Sequence, residues 1–176
     1  MKDFIEKLTY LKDHLSEMLV LADDYTKQMA VLLDKGNGDI IHFKEDTAHD
    51  LKLEYAACDS RLRFIFNSYA CAVYREYKYT PTITCIFRTD AEQDDIYKDD
   101  PAYQAKKVIS VHQVWRGIDF RSGDMPEAVA QFTMDYFIKQ VVYTGNHDTL
   151  IRHSVGRGDH FHLQTDSDSN TEIRSL

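Results

Sequence analysis

The chain is poor in the residues that punctuate or staple a fold: three cysteines, three prolines and seven glycines in 176 residues. Cys58, Cys71 and Cys85 are odd in number and form no C-x-x-C pair, so a disulfide framework is set aside. All three are read as reduced core thiols rather than redox or metal groups. No long apolar run is present, and the amino terminus Met-Lys-Asp-Phe-Ile-Glu-Lys has no apolar core segment. A membrane span and a signal peptide are therefore not expected, and synthesis in the cytoplasm is. Positive charge is also short, with 21 Lys and Arg against 29 Asp and Glu, a net charge of −8 and a pI near 5.4. That balance argues against nucleic acid, whose phosphates would be repelled, and means that an anionic substrate must be gripped locally. What remains is ordinary for a globular chain, 43% hydrophobic and 28% charged, and long enough to bury a core in one domain with an appendage.

Hydrophobic spacing gives the coarse order. Residues 3–34 read as one long amphipathic helix, with Phe4, Leu8, Leu11, Leu15, Met18, Ala22, Tyr25, Met29 and Leu32 at alternating steps of four and three. Such a seam fits either a self-packed helix or a homo-oligomer. Gly36-Asn37-Gly38 ends it and opens a polar connector. A second helix is expected over 51–77 on Leu51, Tyr55, Cys58, Leu62, Ile65, Tyr69 and Ala72. His14, His42 and His49 sit among charges and read as solvated. Thr82 to Phe87 is β-branched and aromatic and reads as a strand, followed by a short helix over 90–97 and a loop at Asp99-Asp100-Pro101. Residues 117–121 read as a strand carrying Asp119. Pro126 opens a helix that should run to about Tyr143. Residues 150–153 and 160–164 are short extended runs joined by a glycine-bearing connector, which predicts a β-hairpin. From Thr165 onward the chain is polar and reads as a frayed tail. The fold class is α+β with an amino-terminal helical layer.

Chemistry concentrates in two stretches, Ser110-Val-His-Gln-Val-Trp-Arg-Gly-Ile-Asp119 and Asp159-His-Phe-His-Leu-Gln164. On a strand, His160 and His162 leave one face while Phe161 and Leu163 enter the core. Asp119 alternates with Ile118 and Phe120 in the same way, so its carboxylate and the histidines can converge across a sheet. Two imidazoles and one carboxylate, His112, His162 and Asp119, form the ligand set of a catalytic zinc site, which keeps a fourth position for water. A base must then move that water's proton. His160 and Asp159 both qualify, with His160 preferred for its shared face with His162. His153, on the facing arm of the hairpin, reads either as a second polar group of the site or as an exposed strand residue. His147 falls in a loop.

Ser110-x-His112, Gly117-x-Asp119 and the later His160-x-His162 resemble the motifs of the zinc D-alanyl-D-alanine carboxypeptidases and related murein endopeptidases, which share the hedgehog/DD-peptidase fold. Ile83-Thr-Cys-Ile-Phe-Arg88-Thr, with Gln93 behind it, is similar to the family's strand ending in arginine. The resemblance spans about residues 51–165, leaving 1–50 as an added helix and connector and 166–176 as a polar tail. It implies an antiparallel sheet with flanking helices, Zn2+ as cofactor, and hydrolysis of an amide bond in peptidoglycan stem peptides. It also implies that Arg88 binds a substrate carboxylate, a task suited to its planar fork. Ser110 is grouped with Arg88 as a substrate contact, and Trp115 reads as a groove wall or as a packed indole. Trp115 stands where the family usually has glycine. A wall-degrading enzyme without a signal peptide suggests a phage lysis enzyme released by a holin, or a virion component. The alternative is a non-catalytic zinc-binding structural or virion module of the same fold.

Overall fold

The computed structural model describes residues 40–46, 48–107, 109–143, 148–154, 158–165 and 171–173. The helix expected over 3–34, and with it the oligomeric seam, lies outside the described residues. Within them the order is β1 (His42–Phe43), α1 (Leu51–Ala57), α2 (Ser60–Tyr77), β2 (Thr82–Cys85), α3 (Asp90–Ile96), α4 (Pro101–Ala105), a 3-10 turn (Val111–Val114), β3 (Gly117–Arg121), α5 (Glu127–Gln140), β4 (Val141–Tyr143), β5 (Leu150–Ser154), β6 (Asp159–Gln164) and β7 (Thr171–Ile173). The architecture is α+β, with a five-stranded sheet in the order β1-β2-β3-β6-β5 and a separate β4–β7 pair.

The sheet is mixed rather than wholly antiparallel. β1 runs parallel to β2, whereas β2–β3, β3–β6 and β5–β6 are antiparallel. The expected hairpin is present, with Ile151 opposite His162 and His153 opposite His160. β3 lies at the centre, and its register sets the site: Asp119 stands opposite His162 and Arg121 opposite His160. A directly opposed pair places its Cβ atoms about 5 Å apart, close enough for side chains to meet over the sheet.

One face of β3 and β6 closes the core. Ile118, Phe120, Phe161 and Leu163 are fully buried, and Phe120 meets Phe66 of α2 at 5.2 Å, Tyr69 at 5.6 Å and Phe161 at 5.3 Å between ring centroids. Each such ring contributes on the order of 1.5–3 kcal/mol by leaving water. Tyr69 is buried to its hydroxyl, which needs a polar partner and finds one in Thr133 Oγ1 of α5 at 2.8 Å. The opposite face of the same strands carries Asp119, Arg121, His160, His162 and Gln164, and these line a cleft of about 840 Å³. One strand pair thus serves core and cleft through simple alternation.

Three expectations need correction. The helix expected over 51–77 is two helices. Cys58 is extended, with ψ 169°, and the Asp59 side chain caps α2 by accepting from the Arg61 N–H. A local cap outweighs an apolar spacing that continues through the break. The helix expected to reach Tyr143 stops at Gln140, and Val141–Tyr143 pairs with Thr171–Ile173, so part of the polar tail is a strand. Asp99 and Asp100 lie outside any helix, as expected, but Pro101 opens a short helix to Ala105 that the loop reading did not include, capped by Asp100.

Candidate metal centre

His112 is placed by the 3-10 turn. Ser110 caps that turn, its hydroxyl accepting from the His112 N–H at 3.3 Å, while the Gln113 side chain accepts from the Ser110 N–H at 2.7 Å. Trp115 ends the turn at φ 62°, the left-handed region in which glycine carries no penalty. The indole stacks on Phe87 with centroids 4.4 Å apart and is not among the residues lining the cleft. Of the two readings of Trp115, the structure displays the packed indole. Ser110 does line the cleft, although its hydroxyl serves the turn.

Gly117 lets the His112 ring lie against β3. A Cβ there would sit 2.9 Å from Val111 Cγ2 and 3.1 Å from both Cε1 and Nδ1 of His112. The ring is 1% exposed, and Nδ1 lies 2.8 Å from the Ile86 carbonyl oxygen. A carbonyl only accepts, so Nδ1 carries the proton and Nε2 presents its lone pair. Burial pushes the His112 pKa below its usual value, favouring the neutral ring.

That lone pair faces two further groups. His112 Nε2 lies 3.2 Å from Asp119 Oδ1 and 3.2 Å from His162 Nδ1, and these two are 2.7 Å apart. On the far side of its ring, His162 Nε2 lies 3.4 Å from Gln164 Oε1. The Gln164 amide nitrogen donates to the Asp148 carbonyl at 2.8 Å, which fixes which end of the amide faces the histidine. Both ring nitrogens of His162 therefore face an acceptor, and the nearer is Asp119 Oδ1 at 2.7 Å, to which Nδ1–H donates when no ion is bound. Asp119 is 3% exposed. Burial alone would raise its pKa, yet the adjoining imidazoles hold it well below the usual carboxylate range. Its second oxygen, Oδ2, accepts from Arg88 at 2.6 Å.

Three atoms able to ligate a metal ion, His112 Nε2, His162 Nδ1 and Asp119 Oδ1, converge. Four ligands around zinc at about 2.0–2.1 Å stand about 3.3 Å from one another, close to the spacing seen here. A proton shared by His162 Nδ1 and Asp119 Oδ1 would satisfy that pair but leave His112 Nε2 without a donor. A cation satisfies all three. The outward hydrogen bonds to a backbone carbonyl and an amide are the kind that orient metal-binding histidines.

Cys85, assigned to the core from the sequence alone, stands opposite Asp119 in the sheet. Cys85, His112 and Asp119 form a group whose ligand atoms all lie within 4.8 Å of one another and which could hold a metal ion. Within that group the thiol approaches Nδ1 of His112, at 3.9 Å, the nitrogen already engaged by Ile86. Burial pushes the Cys85 pKa up to about 12, so the thiol keeps its proton unless a metal ion displaces it. The Nε2 side, with Asp119 and His162, is the better-formed ligand set. Pairing the strand at Cys85 with the strand at Asp119 was the signal that would have drawn attention to this cysteine.

The remaining candidates surround this centre. Arg88 lines the cleft but also grips Asp119, a contact that its reading as a substrate anchor did not include. His160 Nε2 lies 3.9 Å from Asp119 Oδ2, and its Nδ1 is 3.0 Å from the Gly158 carbonyl. Asp159 is exposed at the start of β6 and lines the same cleft. His49, expected to be solvated, is instead held between two carboxylates, Glu54 at 2.6 Å and Glu92 at 2.7 Å.

No family model matches the chain, and neither a curated protein nor a solved structure matches it.

Proposed function

We propose that the chain is a single-zinc peptidase that hydrolyses an amide bond in peptidoglycan stem or cross-bridge peptides. The observation that carries this reading is the convergence of His112 Nε2, His162 Nδ1 and Asp119 Oδ1, three potential ligand atoms within 3.2 Å of one another in a cleft. These residues would hold the ion, which when bound supplies Lewis acidity and brings the pKa of water to about 7.

The chain's own residues do the rest. With the His160 Nδ1 proton donated to the Gly158 carbonyl, Nε2 is the proton-accepting nitrogen and faces the centre. His160 takes a proton from the attacking water as the new C–O bond forms, then gives it to the amine as the C–N bond breaks. Asp159 lines the same cleft and is the second candidate base. Arg88 aligns Asp119 through one amino group and offers the cleft its remaining N–H donors for a substrate carboxylate.

The test is digestion of purified muropeptides followed by mass spectrometry. Release of a stem-peptide residue or opening of a cross-bridge, abolished by chelator and by His160→Ala, supports the reading. Intact muropeptides from zinc-loaded protein would overturn it.

A further inference from the structure

The second histidine-carboxylate cluster lies at the edge of the same cleft, outside the metal centre. His49 belongs to the connector before α1. Its Nδ1 is 2.6 Å from Glu54 Oε1 of α1 and its Nε2 is 2.7 Å from Glu92 Oε1 of α3. Carboxylate oxygens only accept, so both ring nitrogens donate and the ring is an imidazolium.

The other oxygen of each carboxylate reaches the backbone on one side of Arg88. Glu54 Oε2 accepts from the Phe87 N–H at 3.2 Å. Glu92 Oε2 accepts from the Thr89 N–H at 2.8 Å and from the Thr89 hydroxyl at 2.8 Å. Arg88, between these two residues, binds Asp119 Oδ2 at 2.6 Å. A continuous chain of charge-assisted hydrogen bonds therefore leads from His49 through two glutamates to the segment that presents Arg88.

We propose that His49 is a positioning residue, a protonated clamp that holds Glu54 and Glu92 on the Phe87 and Thr89 amides and so fixes Arg88 against Asp119. Its consequence for catalysis rests on the peptidase reading above; the clamp itself does not. Neutral imidazole has a single N–H. Loss of one proton turns one of the two contacts into a lone pair facing a carboxylate, and the glutamate on that side loses its anchor. The charged groups facing His49 are Glu54 on α1, Glu92 on α3 and Asp46 on its own connector, with Lys44 beside Asp46. The hydrogen bond to Glu92 is the largest effect on the His49 pKa and raises it; burial opposes that, and the hydrogen bond to Glu54 adds to the rise, which leaves the pKa above its usual 6.5. Segment order is thus complete at mildly acidic pH and is released as pH rises through that raised value.

Backbone hydrogen exchange at Phe87 and Thr89 in the full chain tests the clamp, with rates corrected for intrinsic pH dependence and measured between about pH 6 and 9. In the unaltered protein, protection should fall about tenfold as His49 deprotonates, at the amide anchored by the glutamate that loses its donor, the scale of a lost charge-assisted hydrogen bond. His49→Gln should show the lower protection at every pH, and His49→Arg, a permanent cation with several donors, should keep the higher protection throughout. Protection that is independent of pH and unchanged in His49→Gln overturns the proposal. Should either variant fail to fold, the pH dependence of the unaltered protein decides alone. Peptide cleavage measured in parallel separates the two claims. The exchange pattern without cleavage would remove the peptidase reading and leave the clamp, and cleavage without the pattern would do the reverse.

Discussion

The candidate metal centre and the His49 cluster are built from the same residue types, imidazole and carboxylate, yet their donor balance differs. At His49 each ring nitrogen donates to an oxygen, and the cluster is complete as it stands. At Asp119 the His112 ring gives its proton outward, to Ile86, and turns the Nε2 lone pair toward a carboxylate and a second imidazole. Short contacts alone do not separate a structural cluster from a ligand set. The direction in which the protons point does.

The most severe way to break the comparison is to remove a converging nitrogen. His112→Ala or His162→Ala should reduce bound zinc, measured by elemental analysis, from one per chain to a small fraction, with peptide cleavage at background. His49→Gln should leave zinc at one per chain. Next in size is Gly117→Ala, whose methyl meets Val111 and the His112 ring. It should lower stability by about 1–3 kcal/mol as an overpacked site, read by denaturant titration, with weaker metal binding alongside. Gln164→Leu, which removes the amide facing His162 Nε2 and with it the bond to the Asp148 carbonyl, should weaken zinc affinity by about 10–100-fold in a competitive chelator titration.

The two histidines also pull stability in opposite directions with pH. His49 has a raised pKa, so its contribution is complete below 6.5 and is lost as pH rises through the folded value. His112 has a lowered pKa, so in metal-stripped protein the unfolded chain binds its proton first. Stability then falls as pH drops below 6.5 toward the lowered value. His49→Gln should flatten the alkaline limb of a stability–pH curve and spare the acidic one. The smallest effect belongs to the exposed pair Lys98–Asp95, whose side chains are 64% and 62% exposed. Lys98→Ala should change the unfolding free energy by no more than about 0.5 kcal/mol.

The centre was legible in the sequence because it rests on alternation. Phe161 and Leu163 entering the core force His160 and His162 to the other face, and a paired strand brings Asp119 to them. The clamp was not legible. His49 sits in an irregular connector, and its partner Glu92 is 43 residues away on a separate helix, so no local periodicity links them. The break at Cys58 was hidden by apolar spacing that runs through it, although Asp59-Ser60 carried the cap signal. The β4–β7 pairing was missed because the polar tail has little to bury on its own. Trp115 shows a subtler signal. A residue standing where the resembled family usually has glycine is found in the left-handed conformation that glycine favours.

The account depends on three lone pairs sharing one cation. Elemental analysis of the unaltered chain, purified without chelator and dialysed against metal-free buffer, tests it most directly. One zinc per chain, lost in His162→Ala and retained in Cys85→Ser, is the predicted result. A folded, unaltered chain that takes up no transition metal even when zinc is supplied would contradict it.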